Sequence, residues 1–314
     1  MWRYRLGVRT DGSQPSDRGS NPRSATTSLF LSPLSTRPFP FRRFAVACLL
    51  AATPACAAAP SAERATGEVA KAVETSLAGG TERFDHQAWG ALLLRGTKDG
   101  LVDYRFMQEH RPDLDAYLKS VADAGLSRLA PAHLEALLIN AYNAYTVKSI
   151  LDHPEVSSIR DIPGVWTKVR HRVGGFDLTL DEIEHRILRP FFRDPRIHFG
   201  LNCASRSCAP LPTWAYEGEK IDEQLEDRTD SFLSDPNNVQ VEGSKLLVSK
   251  YFEWYGGDFT ASGWKGSEKT IVDYIARYAL VEVKEFIARY ERKPSIGFLD
   301  YDWSLNAAVP PVKP

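Results

Sequence analysis

Residues 132–153 read AHLEALLINAYNAYTVKSILDH, and 13 of the 22 positions are apolar, densest between Leu134 and Val147. A helical stretch that is hydrophobic on nearly all sides cannot lie on a surface, so this segment is expected to be a central buried helix. Asn140 and Asn143 interrupt it. An unpaired amide in such a place costs about 1–3 kcal/mol, so both side chains should be bonded to something specific, bracing a loop or lining a pocket.

Outward from this helix the pattern varies. Upstream, FDHQAWGALLLRGTKDGLVDY (84–104) and DLDAYLKSVADA (113–124) carry apolar residues at helical spacing. Downstream, KVRHRVGGFDLTL (168–180) alternates about Gly174-Gly175, the mark of a hairpin with a tight glycine turn. Thr179 and Glu182 form the S/T-x-x-E pattern that opens a helix over LDEIEHRILR. RIHFGLN (196–202) reads as a strand, EKIDEQLEDRTDSFL (219–233) as an amphipathic helix, and NVQVEGSKLLVS (238–249) as a second hairpin. Helices follow at 267–280 and 281–290, and IGFLDYDWSLN (296–306) reads as a closing strand. Helices and short antiparallel hairpins mix without a regular βαβ rhythm, which predicts an α+β fold in a single globular domain.

Of the 314 residues, 43% are hydrophobic and 25% charged, ordinary for a globular chain. The first 59 residues hold eight arginines against two aspartates, a charge of +6, which leaves the rest at −7 within a whole-chain charge of −1. An acidic body without a basic stripe argues against a nucleic-acid partner. In FRRFAVACLLAATPACAAAPSAERA (41–65), an arginine pair, a short apolar run and small residues come in the order of a secretory signal. The run is too short to span a bilayer, which takes about 20 residues. The expected organisation is a leader or mis-assigned start over 1–41, a signal peptide over 42–58, a linker over 59–80, the globular domain over 81–306 and a tail over 307–314. The mature protein is therefore expected in the periplasm or outside the cell, without a membrane span and as a monomer. Of four cysteines, cleavage near Ala57 or Ala58 leaves Cys203 and Cys208, which could pair in an oxidising compartment.

Five segments, INAYNAYTV, GGFDLTLDEIEHRILR, IHFGLNCASRSCAPL, YFEWYGGDF and YDWSLN, occur in an order and at intervals that resemble the domain of unknown function 547 family, over roughly residues 84–306. Leu138 stands where the family pattern has an aromatic, and Ala209 where it has a proline. The resemblance implies architecture and location of a site rather than a reaction. It also implies that the first cysteine matters more broadly than the second, which some plant members lack.

Cys203 could be a reactive thiol, half of a Cys203–Cys208 disulfide or a metal ligand. A nucleophilic cysteine needs access and a nearby cation, histidine or helix N-terminus. As a strand neighbour five residues away, His198 would face the other side, ~16 Å distant at ~3.3 Å per residue. His185 is better placed, because it points away from the Leu180, Ile183 and Ile187 stripe, and Glu184 lies beside it. These choices give a thiol enzyme of papain-like or transglutaminase-like logic, with Cys203 as nucleophile, His185 as base and Asn140 or an aspartate as orienter. Asn143, Glu184, Asn202, Arg206 and Asp302 support it, and the 203–206 amides form an oxyanion hole. It would perform acyl transfer or amide hydrolysis on a small-molecule or peptide substrate of the envelope. Zinc held by His185, His198, Cys203 and Cys208 lacks the close ligand pairs of a zinc site, and no metal or cofactor is expected. The aromatics of YFEWYGGDF, with Trp303, could form a stacking wall or simply be core. The alternative function is a non-catalytic binding domain stapled by the disulfide.

Overall fold

In the computed structural model, which describes residues 64–312, the apolar run forms one helix, Pro131–Asp152. Pro131 sits in its first turn, where the missing N–H costs nothing. Leu134, Leu137, Ile139, Ala141, Ala144 and Val147 are all fully buried. Helices Gly67–Gly79, Tyr104–Glu109 and Arg111–Ala122 pack around it. The described residues belong to one compact unit, Pro54–Pro314, and the fold is α+β. The leader, the signal peptide and Cys56 lie outside the described residues.

Both hairpins form as their turn residues require. Strands His171–Val173 and Phe176–Leu178 pair antiparallel across Gly174 and Gly175, whose φ angles of 57° and 85° suit glycine. Val239–Glu242 pairs with Lys245–Val248 in the same sense. The sheets nevertheless go beyond antiparallel hairpins. Ser295–Phe298 adds in parallel to Lys245–Val248, and Ala307–Val309 adds in parallel to Leu101–Asp103. Of the segment 296–306 expected as one closing strand, only 296–298 is strand, and 299–306 is a loop. Residues read as a C-terminal tail supply a strand.

The stretch 59–80, which reads as a linker or a short helix, contains the helix Gly67–Gly79. Val73 is fully buried, and the Ser76 hydroxyl donates to the Leu129 carbonyl at 2.7 Å. Among the described residues no helix is long and apolar enough to cross a membrane.

Two hydrophobic clusters fill the molecule. The larger surrounds the central helix. The smaller gathers Phe199, Phe232, Tyr251, Phe252, Phe259 and Tyr274. The cysteine loop crosses between them: Leu201 and Ala204 belong to the first, Cys208 and Ala209 to the second.

Candidate active site

Thr179 and Glu182 cap the next helix reciprocally, with the Glu182 amide donating to Thr179 Oγ1 at 3.1 Å and the Thr179 amide to Glu182 Oε2 at 2.9 Å. From Glu182 to Phe192 the backbone winds as a π-helix, a wide turn that is rare and often found at functional sites. Ile183 and Ile187 are fully buried, whereas His185 faces a cavity of about 370 Å³. Glu184 lines the same cavity although its side chain is only 9% exposed.

Residues 196–202 are not a strand. Asp194 and Pro195 start a turn, with the Arg196 amide donating to Asp194 Oδ1 at 3.0 Å, and Ile197–Gly200 close a short helix. The Asp-Pro start and packing outweigh the β preference of Ile197 and Phe199. The strand argument that placed His198 opposite Cys203 therefore falls, and both residues line the cavity.

His198 is buried and stacks on Tyr255 at 4.0 Å between ring centroids. Its Nε2 lies 2.8 Å from Asp258 Oδ2, and Arg189 donates to both Asp258 oxygens at 2.6 and 2.8 Å. Burial pushes the Asp258 carboxyl up, but the His198 and Arg189 bonds more than reverse this and hold it below the usual range. An ionised Asp258 assigns the imidazole proton to Nε2. Burial lowers the His198 pKa, with the Asp258 bond acting the other way, so the ring is neutral. Its Nδ1 lone pair is left buried without a hydrogen-bond partner.

His185 is differently engaged. Arg189 donates to its Nδ1 at 3.0 Å, which fills the lone pair and leaves the ring proton on Nε2, 3.6 Å from Asp181 Oδ1. No lone pair remains to receive a thiol proton.

The cysteine loop is held by amides. Asn143 donates to the Gly200 carbonyl at 2.9 Å and accepts from the Asn202 amide at 2.8 Å. Asn202 donates to the Ala209 carbonyl at 2.8 Å and accepts from the Ala204 amide at 3.0 Å and from Asn306 at 3.2 Å. Within this brace Ala204 adopts φ 59°, a left-handed conformation that strains a residue with a Cβ.

Cys203 and Cys208 are both free thiols, with no disulfide between them. The Cys203 amide donates to Cys208 Sγ at 2.8 Å, while Cys203 Sγ lies 3.2 Å from both Ser205 Oγ and Tyr301 Oη. The hydrogen bond from the Cys208 side chain lowers the Cys203 pKa most. Burial opposes it, and the Ser205 and Tyr301 hydroxyls lower it further, to about 7. Burial pushes Cys208 the other way and keeps it a thiol.

Several expected roles change. Asn140 is wholly engaged by the backbone of Tyr216, donating to its carbonyl at 2.7 Å and accepting from its amide at 3.0 Å, so it orients no histidine. Asp302, which could orient a histidine or make a turn, makes the turn, accepting from the Ser304 amide and hydroxyl at 2.9 and 2.6 Å. Arg206 is exposed and faces a different depression from the Cys203 cavity. The loop amides are largely consumed: Cys203 donates to Cys208, Ala204 to Asn202, and Arg206 to the Ser304 carbonyl at 2.9 Å. The aromatics do wall the cavity, among them Trp166, Trp254, Tyr255, Tyr301 and Trp303.

Sequence reading does not single out Asp258, Arg189, Ser205, Tyr301 or Asn306. Asp258 and Tyr301 lie inside the segments YFEWYGGDF and YDWSLN, and the Asp194-Pro195 turn signal could have rescued His198. No curated protein and no solved structure matches the chain. Residues 126–233, which hold the central helix, Glu184, both cavity histidines and both cysteines, match the model of a family described as a protein of unknown function, DUF547, in support of the resemblance seen in the sequence.

Proposed function

We propose that this chain is an exported thiol-dependent enzyme, performing acyl transfer or amide hydrolysis on an envelope substrate. The observation that carries the reading is the convergence on one cavity of a thiol held at low pKa, Cys203, and an Asp258-oriented imidazole with a free Nδ1, His198. A nucleophile and a base steered by a third group are the parts that such chemistry needs. Export rests on the order of signal features in 42–58, and the mature N-terminus is expected between Ala57 and Ser61.

In this scheme Cys203 Sγ attacks the acyl carbon and a C–S bond forms. The C–N or C–O bond breaks, and the thiol proton passes through His198 Nδ1 to the leaving group. Water or an amine then attacks the thioester. The C–S bond breaks, and the acceptor's proton returns through His198 to sulfur. The hydroxyls of Tyr142 and Tyr255, both at the cavity, take the place of the loop amides as donors to the oxyanion. Burial raises the Tyr142 pKa, and the Glu184 charge with burial raises that of Tyr255, so both keep their protons.

The test is acylation by p-nitrophenyl acetate, followed by peptide mass spectrometry. An acetyl group on Cys203, lost in Cys203→Ala, is expected, and acylation by p-nitroacetanilide, whose poorer leaving group must take up a proton, should be slowed on the order of a hundredfold or more in His198→Ala. A parent protein that acylates no faster than Cys203→Ala overturns the reading. In that case a Cys203–Cys208 disulfide found in protein extracted without reductant would favour the binding-domain alternative.

A further inference from the structure

The wall of the Cys203 cavity is unusual in its charge. Asp181 and Glu184 line it, and among the described lining residues there is no lysine or arginine. Arg189 stands close, its guanidinium carbon 5.4 Å from the Tyr255 ring centroid, but its charge is paired with Asp258. The remainder of the wall is aromatic. Tyr301 and Trp303 lie 4.5 Å apart between ring centroids, Trp254 and Trp303 5.8 Å, and Trp166 and Trp303 6.1 Å, which makes a continuous surface.

Glu184 is the telling residue. It is more than nine-tenths buried, yet no hydrogen bond among the described residues reaches its carboxylate. Its carboxylate lies 3.8 Å from His198 Nδ1 and 3.9 Å from His185 Nδ1, neither of which carries a proton in the arrangement described above, and the Tyr255 hydroxyl and the Arg189 charge feel it without bonding to it. Burying a carboxylate without a partner is costly, and the cost is relieved when a donor or a cation arrives from the cavity. Aromatic faces add attraction for a cation that has shed its water.

We infer, on the basis of the proposed acyl chemistry, that the substrate carries a protonated amine beside the reacting acyl group, received by Glu184 and Asp181 against the tryptophan and tyrosine wall. The class is an aminoacyl or ω-aminoacyl compound, such as a peptide with a free amino group. Neutral and anionic acyl compounds of the same length are poor ligands.

Binding can be read from tryptophan fluorescence, because three tryptophans line the cavity. Measuring it in the full chain carrying Cys203→Ser separates recognition from thiol chemistry. The probes are ω-aminopentanamide, its neutral counterpart hexanamide and its anionic counterpart adipamate. At pH 7 the amine is expected to bind saturably and at least about tenfold more tightly than either of the others. Glu184→Gln should remove most of that preference, and Asp181→Asn, at a more exposed position that tolerates substitution, should reduce it. Equal binding of the three probes, no saturable response to the amine, or an unchanged preference in both variants overturns the inference. Acylation of Cys203 by p-nitrophenyl acetate would be untouched by any of these results.

Discussion

The two sides of the cavity are built on opposite principles. On the cysteine side, Asn143, Asn202 and Asn306 are joined to one another and to the loop backbone, and Tyr104 donates to Asn306 at 2.7 Å. On the histidine side, His198 Nδ1 has no partner, and Glu184, 3.8 and 3.9 Å from two imidazole nitrogens, accepts no hydrogen bond among the described residues. A fully bonded polar network rigidifies what it surrounds, whereas open acceptors are a standing cost. The difference teaches which groups fix geometry and which await a ligand. The amides fix the thiol in place, and in the proposed function the open acceptors are the working groups.

This contrast is broken most directly by removing one group from each side. Asn143→Leu leaves the Gly200 carbonyl and the Asn202 amide buried without partners, at about 1–3 kcal/mol each, so a loss of roughly 2–6 kcal/mol is expected in urea unfolding. Glu184→Gln removes only an unpartnered charge and should leave stability unchanged or raise it. Similar losses in the two variants would mean that the histidine side is as structural as the cysteine side.

The two histidines sharpen the same point. His198→Ala is expected to slow acylation of Cys203 by p-nitroacetanilide, whose leaving group must be protonated, on the order of a hundredfold or more, and His185→Ala far less, because Arg189 already occupies the His185 lone pair. The strand reading of 196–202 predicts the reverse order. A His185 effect equal to that of His198 would return the base role to the π-helix.

Much of the fold was legible because it rests on local signals. The apolar saturation of 132–153, the Gly174-Gly175 turn and the Thr179–Glu182 cap each specify their element without help from distant residues. What escaped was set by packing. His198 sits on a short helix because Asp194 and Pro195 turn the chain, and Asp258 meets it from sixty positions downstream. Asn140 and Asn143 could be read as bonded, to a loop among other choices, but only the fold shows which backbone groups they hold. The stretch 59–80 lacks a strong apolar period and reads as a short helix or linker, yet Val73 is fully buried. Burying a valine contributes about 1.5–3 kcal/mol, so protein that starts at Thr81 should melt lower than protein that starts at Ala59. Equal midpoints would restore the linker reading.

The smallest expected effect probes how the cysteine side tunes the thiol it holds. Alkylation by iodoacetamide follows the thiolate, so its rate in the parent should rise with pH and level off above about 7. Tyr301 Oη lies 3.2 Å from Cys203 Sγ and also 2.8 Å from Ser205 Oγ, so Tyr301→Phe removes one donor and leaves the other. Loss of a donor to the charged form raises the pKa, and the alkylation midpoint should move to higher pH, by up to about one unit or ~1.4 kcal/mol. His198→Ala should leave that midpoint nearly in place, since the groups that lower the Cys203 pKa are Cys208, Ser205 and Tyr301. Separate control of thiolate formation and proton transfer is what the two unlike walls imply. A midpoint that shifts with His198→Ala and not with Tyr301→Phe would instead make the thiol and imidazole a single ion pair spanning the cavity.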